Sequence, residues 1–398
     1  MDTTARGRRS NGRSFARLEV PESVVFVRPS AYPAAAVRPG HRNVESRRRS
    51  GPSLAGLLLA ATMLHAPAHA APPDPQVERG RELYGTMCAV CHGPAGEGYR
   101  ADQAPRIAHP DFLSAVNDAY LRRAIVHGRP GTTMSAWASE RGGPLASADV
   151  DALVALLRSW SHAPPVKLEE RPLSGDPARG KEVYAQECAR CHGDHGREGP
   201  NVHIGSPQFL AGATNGFLRY AIRKGRPGTS MPGFEDDLGS DGIENVVALL
   251  RTFQLPLGPA QHLPSRPPPL PLGPVPLNPK GHAPVGFSAY PQMTPADTIK
   301  AQLDAHARFA LLDARAPSDF ASEHIAGAVS VPFYDPAPYV AALPKNTWLV
   351  CYCGCPHAES GELARKLVEA GFTKVTVLDE GLGVWKQRNY PTRTGDKP

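Results

Sequence analysis

Apolar residues fall at helical spacing in two separated windows of this chain. Over 148–160, Val150, Leu153, Val154 and Leu157 share one face, and over 242–253 Ile243, Val246, Val247 and Leu250 do the same. Ser147 and Asp241 stand where helix N-caps belong. After about 295 the pattern changes. Helical segments at 294–307 and 361–370 alternate with short β-rich runs at 310–312, 347–350 and 374–378, which is the order of an α/β fold. Between the two regions, 256–291 is rich in proline, includes Pro267-Pro268-Pro269, and has little apolar periodicity. That composition predicts an extended, semi-rigid spacer. The fold class is therefore multidomain: two small all-α domains followed by an α/β domain. The expected boundaries are 1–70 for an N-terminal extension and leader, 71–163 and 174–256 for the helical domains, 257–294 for the linker and 295–398 for the α/β domain.

The two helical windows end two copies of a longer repeat. Arg79-Gly80-Arg81-Glu82-Leu83-Tyr84 parallels Arg179-Gly180-Lys181-Glu182-Val183-Tyr184. Cys88-Ala89-Val90-Cys91-His92 parallels Cys188-Ala189-Arg190-Cys191-His192. Further on, Gly128-Arg129-Pro130-Gly131-Thr132-Thr133-Met134 parallels Gly225-Arg226-Pro227-Gly228-Thr229-Ser230-Met231. Copies of this length are too long for solenoid units and read as tandem domains.

Charge adds one correction to a first impression. The 398 residues carry a formal net charge of +6, which by itself suggests a nucleic-acid or membrane-surface partner. Residues 1–50 hold eleven Arg, no Lys and four acidic residues, a surplus of seven, so the rest of the chain sums to −1. No nucleic-acid partner is implied. Arg47-Arg48-Arg49, the apolar stretch from Leu54 to Leu64 and the small-x-small site Ala68-His69-Ala70 form the pattern of a cleaved secretory leader. The apolar stretch is short for a bilayer, and no later run of 18 apolar residues appears, so no stable membrane span is expected in the mature chain. The expected location is the periplasm.

C-x-x-C-H is the attachment pattern of c-type haem: two thiols add to the vinyl groups and the adjacent imidazole reaches the iron. A thioredoxin-like redox pair, half of a zinc site and a disulfide within each pair are the rival readings. Two copies in equivalent context, each with a later Met, favour two covalent c-type haems. They would be bound by Cys88, Cys91, Cys188 and Cys191, with His92 and His192 as axial ligands. Met134 and Met231, 46 and 43 residues after the first Cys of their motifs, are the candidate distal ligands. His127 competes in the first copy, but Lys224 holds the matching position in the second; His109 likewise faces Gln208, and His203 has no clear counterpart. On these residues, 76–256 resembles two fused class I-type cytochrome c domains. The resemblance implies a small all-α fold around one haem per domain, with Tyr84 and Tyr184 packing on the last helix.

The last hundred residues carry Asp313-Ala314-Arg315, His324-Ile325-Ala326-Gly327-Ala328, Val350-Cys351-Tyr352-Cys353 and Gly381 with Trp385. This series resembles the rhodanese sulfurtransferase domain. The resemblance places the nucleophile at Cys353, at the end of a strand and before a loop that opens a helix from about Ser360. Backbone N–H groups and a helix N-terminus there stabilise anionic sulfur. Cys351 is expected inside the strand. Cys355 could resolve a persulfide, form a disulfide or be the nucleophile. Asp313, Arg315, His357 and Ser360 are expected to support the loop. The loop departs from the family in having no Arg or Lys, only His357, and Glu380 replaces the first Gly of the family's Gly-Gly pair. Three Cys within five residues could also hold a soft metal such as Cu(I).

Together these features point to an exported dihaem electron carrier fused to a domain that binds or transfers sulfane sulfur. Its partners would be other cytochromes or a terminal oxidase, and a sulfane-sulfur donor or acceptor. The alternative is a pure electron-transfer protein whose last domain is inactive and serves partner or metal binding.

Overall fold

The computed structural model describes residues 74–98, 104–129, 132–197, 199–254, 275, 277–354 and 357–398. The expected leader and extension, Cys355 and most of the proline-rich stretch lie outside these residues.

Each repeat opens on an aspartate. Asp74 accepts the Gln76 N–H at 2.9 Å and Asp176 accepts that of Ala178 at 2.8 Å. Proline follows each one at the first helical position, where no N–H is needed. The helices so started, α1 (Pro75–Leu83) and α6 (Pro177–Val183), each run into a π-helical turn. Then come the short helices that contain the second Cys and the His, α2 (Ala89–His92) and α7 (Ala189–His192). The first domain continues with α3 (Pro110–Ala115), α4 (Asp118–His127) and α5 (Ser147–Ser159). The second continues with α8 (Pro207–Gly212), α9 (Asn215–Lys224) and α10 (Glu235–Thr252).

First and last helices cross at glycine. A Cβ on Gly80 would sit 2.2 Å from the Ala152 carbonyl oxygen, and one on Gly180 2.1 Å from that of Asn245. Only glycine permits the approach, which is why it recurs in both copies. Above the crossing, Tyr84 meets Trp160 edge to face at 4.9 Å, and Tyr184 meets Phe253 at 5.7 Å. The tyrosines thus pack where the resemblance put them.

One helix start differs from the sequence expectation and a second is more complex. Ser147 is the first residue of α5 rather than its cap; its hydroxyl accepts from Arg122 at 2.6 Å, and Asp149 instead accepts the Ala146 N–H at 3.1 Å. Asp241 follows a break at Gly239, at φ 59° and ψ −174°, which divides α10 (Glu235–Thr252) into a short first segment and a longer one that starts close to the expected place. Glu235, Asp236 and Asp237 fill its first turn, where negative charge suits the helix dipole.

One ion pair recurs at equivalent places with different burial. In the first domain Arg122 pairs with Asp151, with side chains 38% and 50% exposed. In the second, Arg219 and Glu244 are 1% and 4% exposed. The segment joining the two domains covers this pair. Arg219 donates to the carbonyls of Glu169 and Arg171 at 2.8 and 3.0 Å, and Arg171 itself reaches Glu244 at 2.8 Å.

The α/β domain contains β1 (Met293–Thr294), α11 (Ala296–Asp304), β2 (Phe309–Asp313), α12 (Pro317–Ser322), β3 (His324–Ile325) and β4 (Val329–Ser330). It continues with α13 (Ala337–Val340), β5 (Trp348–Tyr352), α14 (Ala358–Glu369), β6 (Val375–Leu378), α15 (Gly381–Gln387) and β7 (Thr392–Arg393). Five strands form a parallel sheet in the order β1-β6-β5-β2-β4, and β3 pairs antiparallel with β7. Its central strands are buried on both faces, as parallel sheets require. Ala310, Leu312, Leu349, Cys351 and Val377 pack on one side, and Phe309, Leu311, Val350, Tyr352 and Leu378 on the other.

The expected linker is shorter than 257–294. From Leu277 its described part is bound to the α/β domain: Leu277 N–H donates to the Phe309 carbonyl at 2.8 Å and Tyr290 N–H to that of Val375 at 2.7 Å. Phe287 packs edge-on against Phe309 and Trp348. A few isolated apolar residues among prolines suffice to cover the sheet without any periodicity. Thr294, expected in a helix, is instead paired in β1, and its hydroxyl lies 2.8 Å from that of Thr376.

Candidate haem sites and cysteine loop

The π-helical turns and the short helices after them carry the thiols and imidazoles of both helical domains into one continuous cavity, which the α/β domain also lines. Its volume is about 790 Å³. In the first domain it is lined by Cys88, Cys91, His92 and Met134. In the second it is lined by Cys188, Cys191, His192 and Met231. Nδ1 of His92 lies 3.0 Å from the Pro105 carbonyl, and Nδ1 of His192 lies 2.8 Å from that of Val202. A carbonyl only accepts, so Nδ1 carries the proton and Nε2 keeps its lone pair for a metal. Burial holds both imidazoles below their ordinary pKa and therefore neutral, although the carbonyl bonds oppose this.

Each methionine sits on a closed turn. The Arg129 N–H donates to the Met134 carbonyl at 2.8 Å, and the Thr132 hydroxyl donates back to the Arg129 carbonyl at 2.7 Å. The second domain repeats this with Arg226, Met231 and Thr229 at the same distances. Of the rival ligands, His127 does not line the cavity. His109 does, but Nδ1 accepts the Asp111 N–H at 3.2 Å and Nε2 donates to the Pro227 carbonyl at 2.9 Å, so both nitrogens are used. His203 lines the second domain's part of the cavity. Burial pushes the Cys88 thiol up to about 12 and the Cys188 thiol up to about 11. The acidic leading thiol of a thioredoxin-like pair is thus missing from both motifs. These donors suit a c-type haem.

The α/β domain has its own cysteine site. Cys353 follows the last residue of β5 and is fully buried. Its Sγ lies 3.3 Å from Oγ of Ser360, in the first turn of α14. Asp313, at the end of β2, accepts from Arg315 through both oxygens, at 2.9 and 2.6 Å. Arg315 also donates to the Glu323 carbonyl at 2.6 Å. Burial works against its charge, but Asp313 keeps its pKa above the ordinary value. The pair thus ties the ends of β2 and α12 together beside Gly354. His357 points elsewhere: Nε2 is 2.9 Å from Asp379, beyond the end of β6. Cys351 is buried within β5, and burial raises its thiol pKa.

Comparison with known families agrees with this arrangement. The family described as cytochrome c oxidase, cbb3-type, subunit III matches residues 75–157 and again 175–250, and the rhodanese-like domain family matches 295–388. Two cytochrome c domains precede a rhodanese-like domain in this chain. The cytochrome region is 28% identical over 198 residues to a cbb3-type cytochrome c oxidase subunit FixP of Bradyrhizobium sp., covering 45% of this chain and 63% of that protein. It is 30% identical over 189 residues to the FixP subunit of Azorhizobium caulinodans, covering 44% and 58%. The chain thus spans about three-fifths of the length of these relatives. The solution structure of the rhodanese-like domain of the Alr3790 protein from Anabaena sp. is 28% identical, covering 26% of this chain and 80% of that one, with a TM-score of 0.24.

Three site residues were not singled out from sequence. Arg129 and Arg226, one in each methionine loop, are half-buried and line the haem cavity, and neither makes an ion pair with a described carboxylate. They lie over the rings of Tyr120 and Phe217, which are 5.6 Å apart across the junction of the cytochrome domains. A haem propionate is the anion such an arginine would meet. Their signal was present in sequence, as an Arg shared by both Gly-Arg-Pro-Gly-Thr-x-Met loops. Lys386, from α15, lines the cavity with Arg315 and Gly354 and pairs with Glu323. It lies 33 positions after Cys353, too far along the chain for spacing to reveal.

Among the described residues no helix is long and apolar enough to cross a membrane.

Proposed function

We propose that this chain is an exported dihaem electron carrier whose rhodanese-like domain takes sulfane sulfur onto Cys353 as a persulfide. The electron-transfer half rests on one observation: in each cytochrome domain a neutral imidazole and a methionine line the same cavity as two cysteines. His92 and Met134 would hold one iron and His192 and Met231 the other. Cys88 with Cys91, and Cys188 with Cys191, would anchor the porphyrins. A bound haem supplies a one-electron couple, and a thioether ligand sets its potential above that of a bis-imidazole site. The chain's part is to orient and to exclude water. Carbonyl bonds fix the imidazole planes, the threonine turns hold the methionines, and Arg129 and Arg226 would meet the propionates. The likeness to cbb3-type oxidase subunits supports redox partners such as a terminal oxidase or another cytochrome.

At the other site the Cys353 thiolate attacks the outer sulfur of a sulfane donor, R–S–S⁻. A new S–S bond forms at Cys353, the donor's own S–S bond breaks, and R–S⁻ leaves. An acceptor thiolate reverses the exchange, so no net oxidation occurs. The Ser360 hydroxyl and the amino end of α14 face the sulfur that bears the charge. The complete burial of Cys353 favours a second reading, in which the rhodanese-like domain is inactive and serves docking.

A mass spectrum of the mature protein tests the first reading. The expected result is two covalent haems and, after exposure to polysulfide, a gain of about 32 Da on Cys353. Fewer than two haems would overturn the dihaem reading. A Cys353 that gains no sulfur while electron transfer is normal would leave the docking reading standing.

A further inference from the structure

Both methionine loops are gripped by a neighbouring domain, but not by the same one. The Met231 loop is held by the first cytochrome domain, where His109 Nε2 donates to the Pro227 carbonyl at 2.9 Å. The Met134 loop is held by the rhodanese-like domain. Ser135, 2% exposed, donates its hydroxyl to the Asp319 carboxylate. Ser318 donates to the Ala136 carbonyl at 3.1 Å. The Trp137 ring lies 5.8 Å from that of Tyr334. On the other side of the methionine, a Cβ on Gly354 would meet Thr133 at 3.4 Å. The three residues after Met134 and the one before it thus all face the rhodanese-like domain, beside the loop of Cys353.

We propose that Ser318 and Asp319 are positioning residues for Met134, so that the rhodanese-like domain holds the distal ligand of the first haem. The inference rests on the reading of Met134 as an iron ligand. A thioether is a weak axial ligand, and its hold on iron depends on how well the loop that presents it is fixed. Two hydrogen bonds and an aromatic contact within three residues fix this loop from outside its own domain. At the end of β2, Arg315 joins Asp313 to the Glu323 carbonyl at the end of the same helix, α12, and lies beside Gly354, so the grip on Met134 and the support of the cysteine loop share one element.

Full-length holoprotein tests this, with imidazole as a competing ligand. The readouts are the weak long-wavelength absorption of thioether-bound ferric haem and the two midpoint potentials. In the Ser318→Ala/Asp319→Ala variant about half of that absorption should be lost, one of two haems should bind imidazole on the order of tenfold more tightly, and only one potential should move. Asp319→Asn, whose amide oxygen still accepts from Ser135, should stay near the wild type. Should the double variant not fold, Ser135→Ala removes the same bond from the loop side and should act on the same haem. His109→Ala should shift the other haem. Unchanged absorption and imidazole affinity at both haems, or equal change at both, would overturn the inference while leaving the dihaem reading intact. A wild type with only one thioether-bound haem would overturn this inference together with the assignment of its ligand.

Discussion

At the scale of single residues, Cys353 and Ser360 separate the proposed sulfur transfer from the proposed electron transfer. Cys353→Ser should abolish sulfur release to cyanide from a sulfane donor and leave the haem spectrum unchanged. Ser360→Ala removes one hydroxyl 3.3 Å from the sulfur. Since a hydrogen bond to a charged group contributes about 1.5–3 kcal/mol, sulfur transfer should slow by roughly tenfold or more. Steady-state assays of both variants check this, and an unaltered Ser360→Ala rate would remove the serine from the site. His357 shows why residue type alone misleads. It is the one basic side chain the sequence places in the loop, yet its ring is turned to Asp379, and the cation beside Gly354 is Arg315 from another element.

At the scale of elements, the helix crossings and the buried ion pair carry the second domain and the first unequally. Gly80→Ala places a methyl against the Ala152 carbonyl, where backbone cannot yield, and should cost about 1–3 kcal/mol of first-domain stability. Glu244→Gln strands Arg219, 1% exposed, without its counter-charge, and should cost about 3–5 kcal/mol in the second domain. Asp151→Asn at the equivalent exposed place should cost at most about 1 kcal/mol. Denaturant unfolding of the three variants orders them. Burial would raise the Glu244 carboxyl, but Arg219 and Arg171 together hold it below its ordinary pKa. Its stabilisation is therefore complete above the ordinary carboxylate range and is lost as pH falls through the lower folded value. In an acid titration the wild-type second domain should lose this stabilisation, and the Glu244→Gln variant should show a correspondingly smaller pH dependence.

At the scale of the whole molecule, charge bears on the proposed export. The basic surplus lies in the first 50 residues, and the remainder is near −1. Docking to redox partners should then depend on local patches at the haem edges rather than on net charge. If the leader is cut at the small-x-small site, N-terminal sequencing of protein recovered from the periplasm should begin at Ala71. An intact Met1 on haem-loaded protein would refute the leader reading. The three domains are also not independent modules on a flexible string. Hydrogen bonds from His109 to the second domain and from Ser135 to Asp319 cross both junctions.

Sequence alone determined whatever depends on short spacing or repetition. C-x-x-C-H, the paired methionine loops, the crossing glycines and the tyrosines recur in both copies, and a local constraint repeated twice is legible without coordinates. The alternation of helices with short β-rich runs in the last domain was legible too, whereas the spatial order β1-β6-β5-β2-β4 was not. Tertiary structure alone decided what depends on long-range approach. The docking of Leu277 and Phe287 onto the sheet and the burial of Arg219 with Glu244 both follow from which surface covers which. The grip of Asp319 on the Met134 loop joins residues 184 positions apart. No periodicity encodes such a contact, because it arises only when separately folded domains bury surface against one another.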